Sequence, residues 1–337
     1  MTEKRGSDVS KPKVYIDGQE GTTGLQIVDR LADRDDIELL LIDEDKRKDT
    51  AERSKLLNAA NLVFLCLPDG AAREAVSLVS NPGTRVIDCS TAHRTAEGWD
   101  YGFPELSPAH RENIRKSRRV ANPGCHATGF ISIVYPLVAM GLLPRGAALS
   151  CFSLTGYSGG GKKMIARYEG PDKHWPMDSP GIYGVTQNHK HLPEMQKVCG
   201  LETAPVFCPI VDDYYKGMAT TVPFHMSQLQ GAATLSDVWK KIYDYYRGRA
   251  LVRVAGDPTD EEGGIEPDSK FYGAQMEGHD DLVLVLAGND ERFTVTALFD
   301  NLGKGASGAA VQNMNLMLGF EDTKGLTLLS SKATACR

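Results

Sequence analysis

The chain has 337 residues, enough at roughly 150 residues per domain for two domains with cores of their own. Aspartate and glutamate total 44 against 38 lysine and arginine, and the net charge of -6 offers no general attraction for nucleic acid or an anionic membrane, so small molecules are the expected partners. No apolar run approaches the roughly 20 residues of a membrane span, and the polar start over 1–13 lacks the apolar core of a signal peptide, so a cytoplasmic protein is expected.

Strand and helix patterns alternate through the first third. Apolar runs read as strands over 14–17, 37–43, 62–67 and 85–88, separated by helical periodicity over 25–31, 51–60 and 71–79. Repeated β-α units with short connections require right-handed crossovers and a parallel sheet, which is the doubly wound α/β class. Ligands of that class sit at the carboxyl ends of the strands.

The turn after the first strand, Gly18-Gln19-Glu20-Gly21-Thr22-Thr23-Gly24, has glycine at every third position and leads straight into a helix. Gly18, Gly21 and Gly24 let backbone approach a pyrophosphate, and the helix start at Thr22 and Thr23 receives its charge. A glycine-rich turn needed only for packing is the competing reading. Glu20 is expected to point away from the phosphate. At the end of the second strand, Asp43-Glu44-Asp45 is followed at once by Lys46-Arg47-Lys48, three cations able to hold a 2′-phosphate. That favours NADPH, with Arg47 as its contact, although a charge run of this kind is also what a solvated surface carries.

After the fourth strand, Asp88-Cys89-Ser90-Thr91-Ala92-His93-Arg94 places Arg94 at the carboxyl edge of the sheet, where its guanidinium fork suits a carboxylate or phosphate. A surface arginine is the plain alternative, and His93 alone carries little weight. The run Asn122-Pro123-Gly124-Cys125-His126-Ala127-Thr128 then puts Cys125 on a Pro-Gly turn before an apolar, helix-like stretch. Helix N-termini carry unpaired N–H groups and partial positive charge, which favour thiolate over thiol and hold an oxyanion. Acyl transfer through sulfur uses both effects, whereas an arbitrary cysteine is merely a small buried hydrophobe. The seven cysteines at 66, 89, 125, 151, 199, 208 and 336 are scattered, so neither a disulfide framework nor a metal site is indicated. Cys66 and Cys151 lie in β-rich runs and are expected to be buried structural thiols.

From about residue 147 the pattern changes. Strands are expected over 148–154, 204–211, 217–226, 282–288 and 292–299, forming a mixed or antiparallel sheet with the amphipathic helix Leu235–Tyr246 on one face. Apolar surface on such a sheet commonly ends in a homo-oligomer, a dimer or a tetramer. Thr155-Gly156-Tyr157-Ser158-Gly159-Gly160-Gly161-Lys162-Lys163 offers N–H donors and a cation to an anion. His189-Lys190-His191-Leu192-Pro193-Glu194 places two histidines before a helix start, bases suited to neutral pH. The segments 181–184 and 261–264 carry glycine and are candidates for mobility, and a last apolar helix over 309–317 is expected to return to the first domain.

Taken in order, Gly18 to Gly24, Ser90 to Arg94, Tyr101-Gly102-Phe103-Pro104-Glu105-Leu106, Asn122 to Cys125, Ser158 to Gly161, His189 to Glu194 and Asp300 to Met317 resemble N-acetyl-gamma-glutamyl-phosphate reductase, most of all its shorter form. The resemblance implies NADPH-dependent reduction of N-acetyl-glutamyl phosphate to the semialdehyde, with release of phosphate, in arginine biosynthesis. Cys125 would attack the acyl phosphate, and His191 would carry the proton, with His189 as its rival. Arg94, Ser158 and Lys162 would bind substrate, and Ser158, Gly159 and Asn301 would join the glycine turn around NADP. Domains follow: a flexible tail over 1–12, an NADP-binding domain over 13–124 plus about 303–337, and a catalytic and oligomerisation domain over 125–302. His126 departs from the aromatic residue the family often has after the nucleophile, which leaves the proton route open. Gly160 and Lys162 stand where longer relatives have alanine and arginine. The same chemistry on an N-acetyl-aminoadipyl or aspartyl phosphate is one alternative, and an NADP-binding redox sensor in which Cys125 is never acylated is another.

Overall fold

A computed structural model describes residues 10–259 and 269–329. The first region lays down β1 (Lys13–Asp17), α1 (Thr22–Leu31), β2 (Glu38–Leu40), α2 (Thr50–Ala59), β3 (Leu62–Leu65), α3 (Asp69–Leu78), β4 (Arg85–Asp88), β5 (Asp100–Tyr101), α4 (Pro108–Lys116) and β6 (Arg119–Ala121). Its strands form a six-stranded sheet in the order β2-β1-β3-β4-β6-β5. Every neighbouring pair is parallel.

The unbroken apolar runs of β1 and β3 follow from burial on both faces. Val14, Ile16, Leu62 and Phe64 pack beneath α1 on one side, while Tyr15, Val63 and Leu65 meet Leu57, Ala72 and Ala75 on the other. The chain passes from β1 outward to β2 and returns to β3 on the opposite flank, so the crevice beyond the carboxyl ends of β1 and β3 is open to a ligand. The strand expected over 37–43 stops at Leu40, and the charge run beyond it coils into a short turn, Glu44–Lys46. Strands β5 and β6 and helix α4 were not foreseen, the two strands being too short to carry a periodicity.

The second region contains α5 (Cys125–Ala139), β7 (Ser150–Gly156), α6 (Gly161–Glu169), β8 (Gly181–Ile182), α7 (Leu192–Cys199), β9 (Val206–Asp212), β10 (Met218–His225), α8 (Leu235–Tyr246), β11 (Val252–Val254), β12 (Leu282–Gly288), β13 (Arg292–Phe299) and α9 (Gly308–Leu318). Its seven-stranded sheet runs β11-β12-β13-β10-β7-β9-β8. The pairs β11·β12 and β7·β9 are parallel and the others antiparallel. Phe130, Val134 and Leu137 of α5 pack with Met218, Val222, Val295 and Phe299 in the largest core. A β-carbon at Gly129 would collide with Thr220, so glycine lets this helix sit directly on the sheet. The segment 181–184, expected to be mobile, supplies the edge strand β8 paired with β9. The segment 261–264 lies outside the described residues.

Helix α9 returns to the first sheet, where Ala310, Val311, Met314 and Met317 join Val14, Ile16 and Ile87. A π-helical turn, Gly303–Ser307, precedes it. There the buried Lys304 ammonium donates to Glu105 Oε2 and Gln312 Oε1, each at 2.7 Å, and Glu105 Oε1 also accepts from the Leu251 N–H. This one ion pair ties the loop before α4 to the returning chain and to the second sheet. Among the described residues, no helix is long and apolar enough to cross a membrane.

Candidate active site

Helix α1 begins at Thr22 with Gly21 as its N-cap, and neither a side-chain cap nor an acidic residue competes for its first N–H groups. Gly18 has φ +90°, and a β-carbon there would run into the Cys66 carbonyl, while one at Gly24 would strike the Gly18 carbonyl. At Gly18 and Gly24 glycine is therefore a packing requirement, whereas a β-carbon at Gly21 would meet only ordinary contacts and this residue serves as the open cap of the helix start. Glu20 turns away from it and meets Arg47 at 3.5 Å. Across the crevice, the turn Tyr157–Gly160 leads into α6, and Asn301 Nδ2 donates to Ser158 Oγ at 3.0 Å. Asn301 Oδ1 in turn accepts from the Gly217 N–H at 2.8 Å. A cavity of 420 Å³ joins these two walls and runs on to Cys125, Arg94, His189 and His191. Thr22 Oγ1 is buried in its wall and has no hydrogen-bond partner among the described residues. An uncapped helix start, a glycine cradle and an orphaned hydroxyl fit a dinucleotide pyrophosphate.

Cys125 is the first residue of α5, and Gly124 is its N-cap. A β-carbon at Gly124 would collide with both Arg94 Nη1 and His191 Nε2, so the Pro-Gly turn is what brings these groups against the sulfur-bearing residue. Burial pushes the Cys125 thiol above its usual value, and Arg94, the His126 N–H and Lys190 pull downward without cancelling it. Burial therefore outweighs the positive charge gathered around the sulfur.

His191 is buried, its Nδ1 has no partner among the described residues, and burial together with Arg94 and His126 drives its pKa well below the usual imidazole value. It is held neutral, as a proton acceptor must be. His189 lies against it with ring centres 4.8 Å apart, and its Nδ1 accepts from the His191 N–H at 3.2 Å. His126 is occupied at both ring nitrogens, by Ser153 Oγ at 2.7 Å and Tyr183 Oη at 2.6 Å. Burial drops its pKa to about 3. His126 therefore supports the histidine cluster from behind and has no nitrogen to spare for the thiol.

Arg94 is anchored by its own chain: Nε donates to the Asn122 carbonyl at 3.0 Å, Nη1 to Glu194 Oε2 at 3.1 Å and Nη2 to the Cys89 carbonyl at 3.3 Å. The rest of its fork borders the cavity. Glu194 Oε1 accepts from Tyr101 Oη at 2.6 Å and from the Gly124 N–H at 2.8 Å.

Family models described as "Semialdehyde dehydrogenase, NAD binding domain" and "Semialdehyde dehydrogenase, dimerisation domain" match residues 13–114 and 125–301. An N-acetyl-gamma-glutamyl-phosphate reductase 2 from Nostoc sp. is 46% identical over 94% of this chain and 100% of its own length. The N-acetyl-gamma-glutamyl-phosphate reductase of Sinorhizobium medicae is 45% identical over 91% and 99%. This chain belongs to the N-acetyl-gamma-glutamyl-phosphate reductase family. The wider fold is shared with aspartate semialdehyde dehydrogenase II of Vibrio cholerae, at TM-score 0.69 and 15% identity over 92% of this chain and 99% of that one. As a semialdehyde dehydrogenase relative, this family member is an oxidoreductase with a nicotinamide-binding domain.

Of the residues singled out in this reductase family member's sequence, Gly21, Thr22, Thr23, Arg94, Cys125, Ser158, Gly159, His189, His191 and Asn301 line the one cavity. Gly18 and Gly24 shape its turn from behind, and Arg47 stands outside at the rim, paired with Glu20 and Glu44. Lys162 does not reach the cavity: it is exposed on the first turn of α6, and Lys190 is the lysine along the wall. Cys66 is no core thiol, for it is half-buried beyond the end of β3 and borders the cavity. Sequence reasoning missed the orienting roles of Glu194, Tyr101 and Tyr183. In sequence Glu194 marks only a helix start, and its folded position reveals that its carboxylate faces the Cys125 turn.

Proposed function

We propose that this chain reduces N-acetyl-L-glutamyl 5-phosphate to N-acetyl-L-glutamate 5-semialdehyde and phosphate with NADPH, in arginine biosynthesis. The observation that carries this reading is the single cavity in which the uncapped start of α1, Cys125, neutral His191 and anchored Arg94 meet. The names of the 45–46% identical relatives supply the substrate. His191 takes the Cys125 proton as the sulfur attacks the acyl carbon, which turns a buried neutral pair into a thiolate and an imidazolium only when substrate is in place. The free N–H groups of Arg94 and the start of α5 receive charge that develops on the substrate oxygens, and phosphate departs to leave a thioester on Cys125. Gly18, Gly21 to Gly24, Ser158, Gly159 and Asn301 would hold the nicotinamide cofactor, which when bound supplies the hydride that reduces the thioester. His191 then moves a proton as the carbon–sulfur bond breaks and the aldehyde leaves.

The preference for the 2′-phosphorylated cofactor rests on Arg47 and its neighbours Lys46 and Lys48. Exposed Phe152, Val206 and Ile182 on the outer face of the second sheet support a homo-oligomer, a dimer or tetramer, and the chemistry fits a cytoplasmic enzyme. Assay of phosphate-dependent NADP reduction with N-acetyl-glutamate semialdehyde tests the whole reading. Activity should fall by about 10³-fold or more in Cys125→Ser with cofactor binding retained. A preference for the one-carbon-longer or the aspartyl substrate would overturn the substrate assignment, and cofactor binding without any turnover would overturn the enzyme.

A further inference from the structure

Cys66 and Cys89 stand side by side on the floor of the cavity, and the reaction above uses neither. Cys66 directly follows the last residue of β3 and Cys89 the last of β4, where Leu65 pairs with Asp88. The Cys89 N–H donates to the Leu65 carbonyl at 2.9 Å, so the register holds to the cysteines themselves. Side chains alternate along a strand, which puts both sulfurs on the face of Phe64 and Ile87, and both pack against that core. Adjacent strands lie about 4.8 Å apart, within the roughly 4.4–6.8 Å between α-carbons that a disulfide spans. Both cysteines are half-buried and line the cavity with Gly21, Thr22 and Gly161. The neighbouring Cys89 thiol, then burial, hold the Cys66 thiol well above its ordinary value.

We propose that Cys66 and Cys89 form a reversible dithiol site beneath the cofactor, which a peroxide closes to a disulfide and a dithiol reductant reopens, and that closure weakens cofactor binding. The Cys89 sulfur attacks one peroxide oxygen, the O–O bond breaks, and a sulfenic acid and one water result. The Cys66 sulfur then attacks the Cys89 sulfur, the S–O bond breaks, and the second water carries off the Cys66 proton. Two thiols and one hydrogen peroxide give one disulfide and two waters, with two electrons passing from sulfur to peroxide.

The coupling to cofactor is steric. The phosphate turn rests on the Cys66 carbonyl at Gly18, where a single added carbon would clash, and the Cys89 carbonyl is an anchor of Arg94. A bridge fixes the side-chain torsions of Cys66 and Cys89 on the cavity floor, and a small turn of either peptide carried with them shifts these supports. The inference rests on the reading of this cavity as the cofactor site. Linkage makes it reciprocal: a cofactor that prefers the dithiol tenfold protects it tenfold, equivalent to about 30 mV in its two-electron potential.

The experiment uses the full chain carrying Cys125→Ser, so that the nucleophile does not react. NADPH binding is titrated before peroxide, after peroxide and after dithiothreitol, and disulfides are mapped by peptide mass spectrometry. Cys66→Ser and Cys89→Ser in the same background are each compared with their own untreated form. The expected result is a Cys66–Cys89 disulfide, a Kd for NADPH raised about tenfold or more and restored by reductant, no such change in either added variant, and slower bridging when NADPH is saturating. Two free thiols after peroxide, a bridge that leaves NADPH affinity unchanged, or an equal loss of affinity in the variants would each overturn it. Failure of the untreated protein to bind NADPH would overturn the cofactor reading itself, and is told apart from the other failures because it precedes oxidation.

Discussion

Glu194 Oε1 accepts the backbone N–H of Gly124 at 2.8 Å, so a carboxylate in the first turn of α7 fixes the turn from which α5 starts. The same side chain holds Arg94 at 3.1 Å and Tyr101 at 2.6 Å, and it is almost wholly buried. Glu194→Gln keeps the shape and removes the charge, leaving the Arg94 guanidinium without its anion in the interior. Breaking such a pair from one side costs about 3–5 kcal/mol. We expect kcat/KM to fall by about 10²-fold or more, the unfolding midpoint to drop, and NADPH affinity to hold within about twofold. Steady-state kinetics with thermal denaturation check this, and unchanged kcat/KM would mean that the Gly124 turn holds itself.

The histidine cluster sets a pH dependence whose sign is fixed by burial. Burial first, then neighbouring cations, lower His126 from 6.5 to about 3 and His189 to about 4, and His191 lies well below 6.5 as well. As pH falls below about 6.5 the unfolded chain takes up protons that the folded one refuses. Their contribution to stability is complete above that value and is lost as pH falls toward the folded values. Urea denaturation between about pH 4 and 8 should show a declining acid arm that flattens in His126→Gln. Activity should hold at and somewhat below pH 6.5, because His191 must be neutral to accept the proton, and an acid limb centred at the ordinary histidine value would exclude it as the base.

The glycine turn was legible because its geometry is local: Gly18 and Gly24 are forced by contacts within one turn and the strand beside it, and Gly21 caps the helix that follows. Cys125 was legible for the same reason, since Gly124 and the apolar run of α5 are its immediate neighbours. Glu194 was not, because it serves Gly124, Tyr101 and Arg94 from distant parts of the chain, and nothing near it in sequence marks a buried carboxylate. Lys162 failed in the opposite direction. A lysine after a glycine-rich turn reads as an anion ligand, but the turn continues into α6 and the helix carries that side chain outward. The strands β5, β8 and β11 have two or three residues each, too few to display a period, and only their pairing in the sheet defines them.

Lys304 is one of the most deeply buried charges described, with 1 % of its surface exposed, and its ammonium meets Glu105 at 2.7 Å beneath the ring of Phe103. Burial lowers its pKa and Glu105 only partly restores it. Lys304→Met leaves Glu105 charged and unpaired, and should cost about 3–5 kcal/mol in urea unfolding. Adding Glu105→Gln should recover much of that loss, since two uncharged side chains carry no desolvation penalty of this size. A double variant no more stable than Lys304→Met would show that the pair acts through packing of the π-helical turn rather than through charge.

Arg47 meets Glu20 at 3.5 Å and Glu44 at 3.7 Å, which parks the guanidinium at the rim of the phosphate turn. A 2′-phosphate on the incoming cofactor would take the place of these carboxylates, and the exchange is favourable because a dianion replaces partly solvated single charges. Arg47→Ala should therefore raise the KM for NADPH about tenfold, roughly 1.4 kcal/mol, while leaving NADH unchanged. Glu20→Gln removes the competing carboxylate and should move the NADPH value the other way. Both effects should shrink as salt is raised, because the rim is open to solvent. Kinetics with the two cofactors at fixed ionic strength decide it: an NADPH to NADH preference unmoved by Arg47→Ala would shift the 2′-phosphate contact to Lys46 or Lys48.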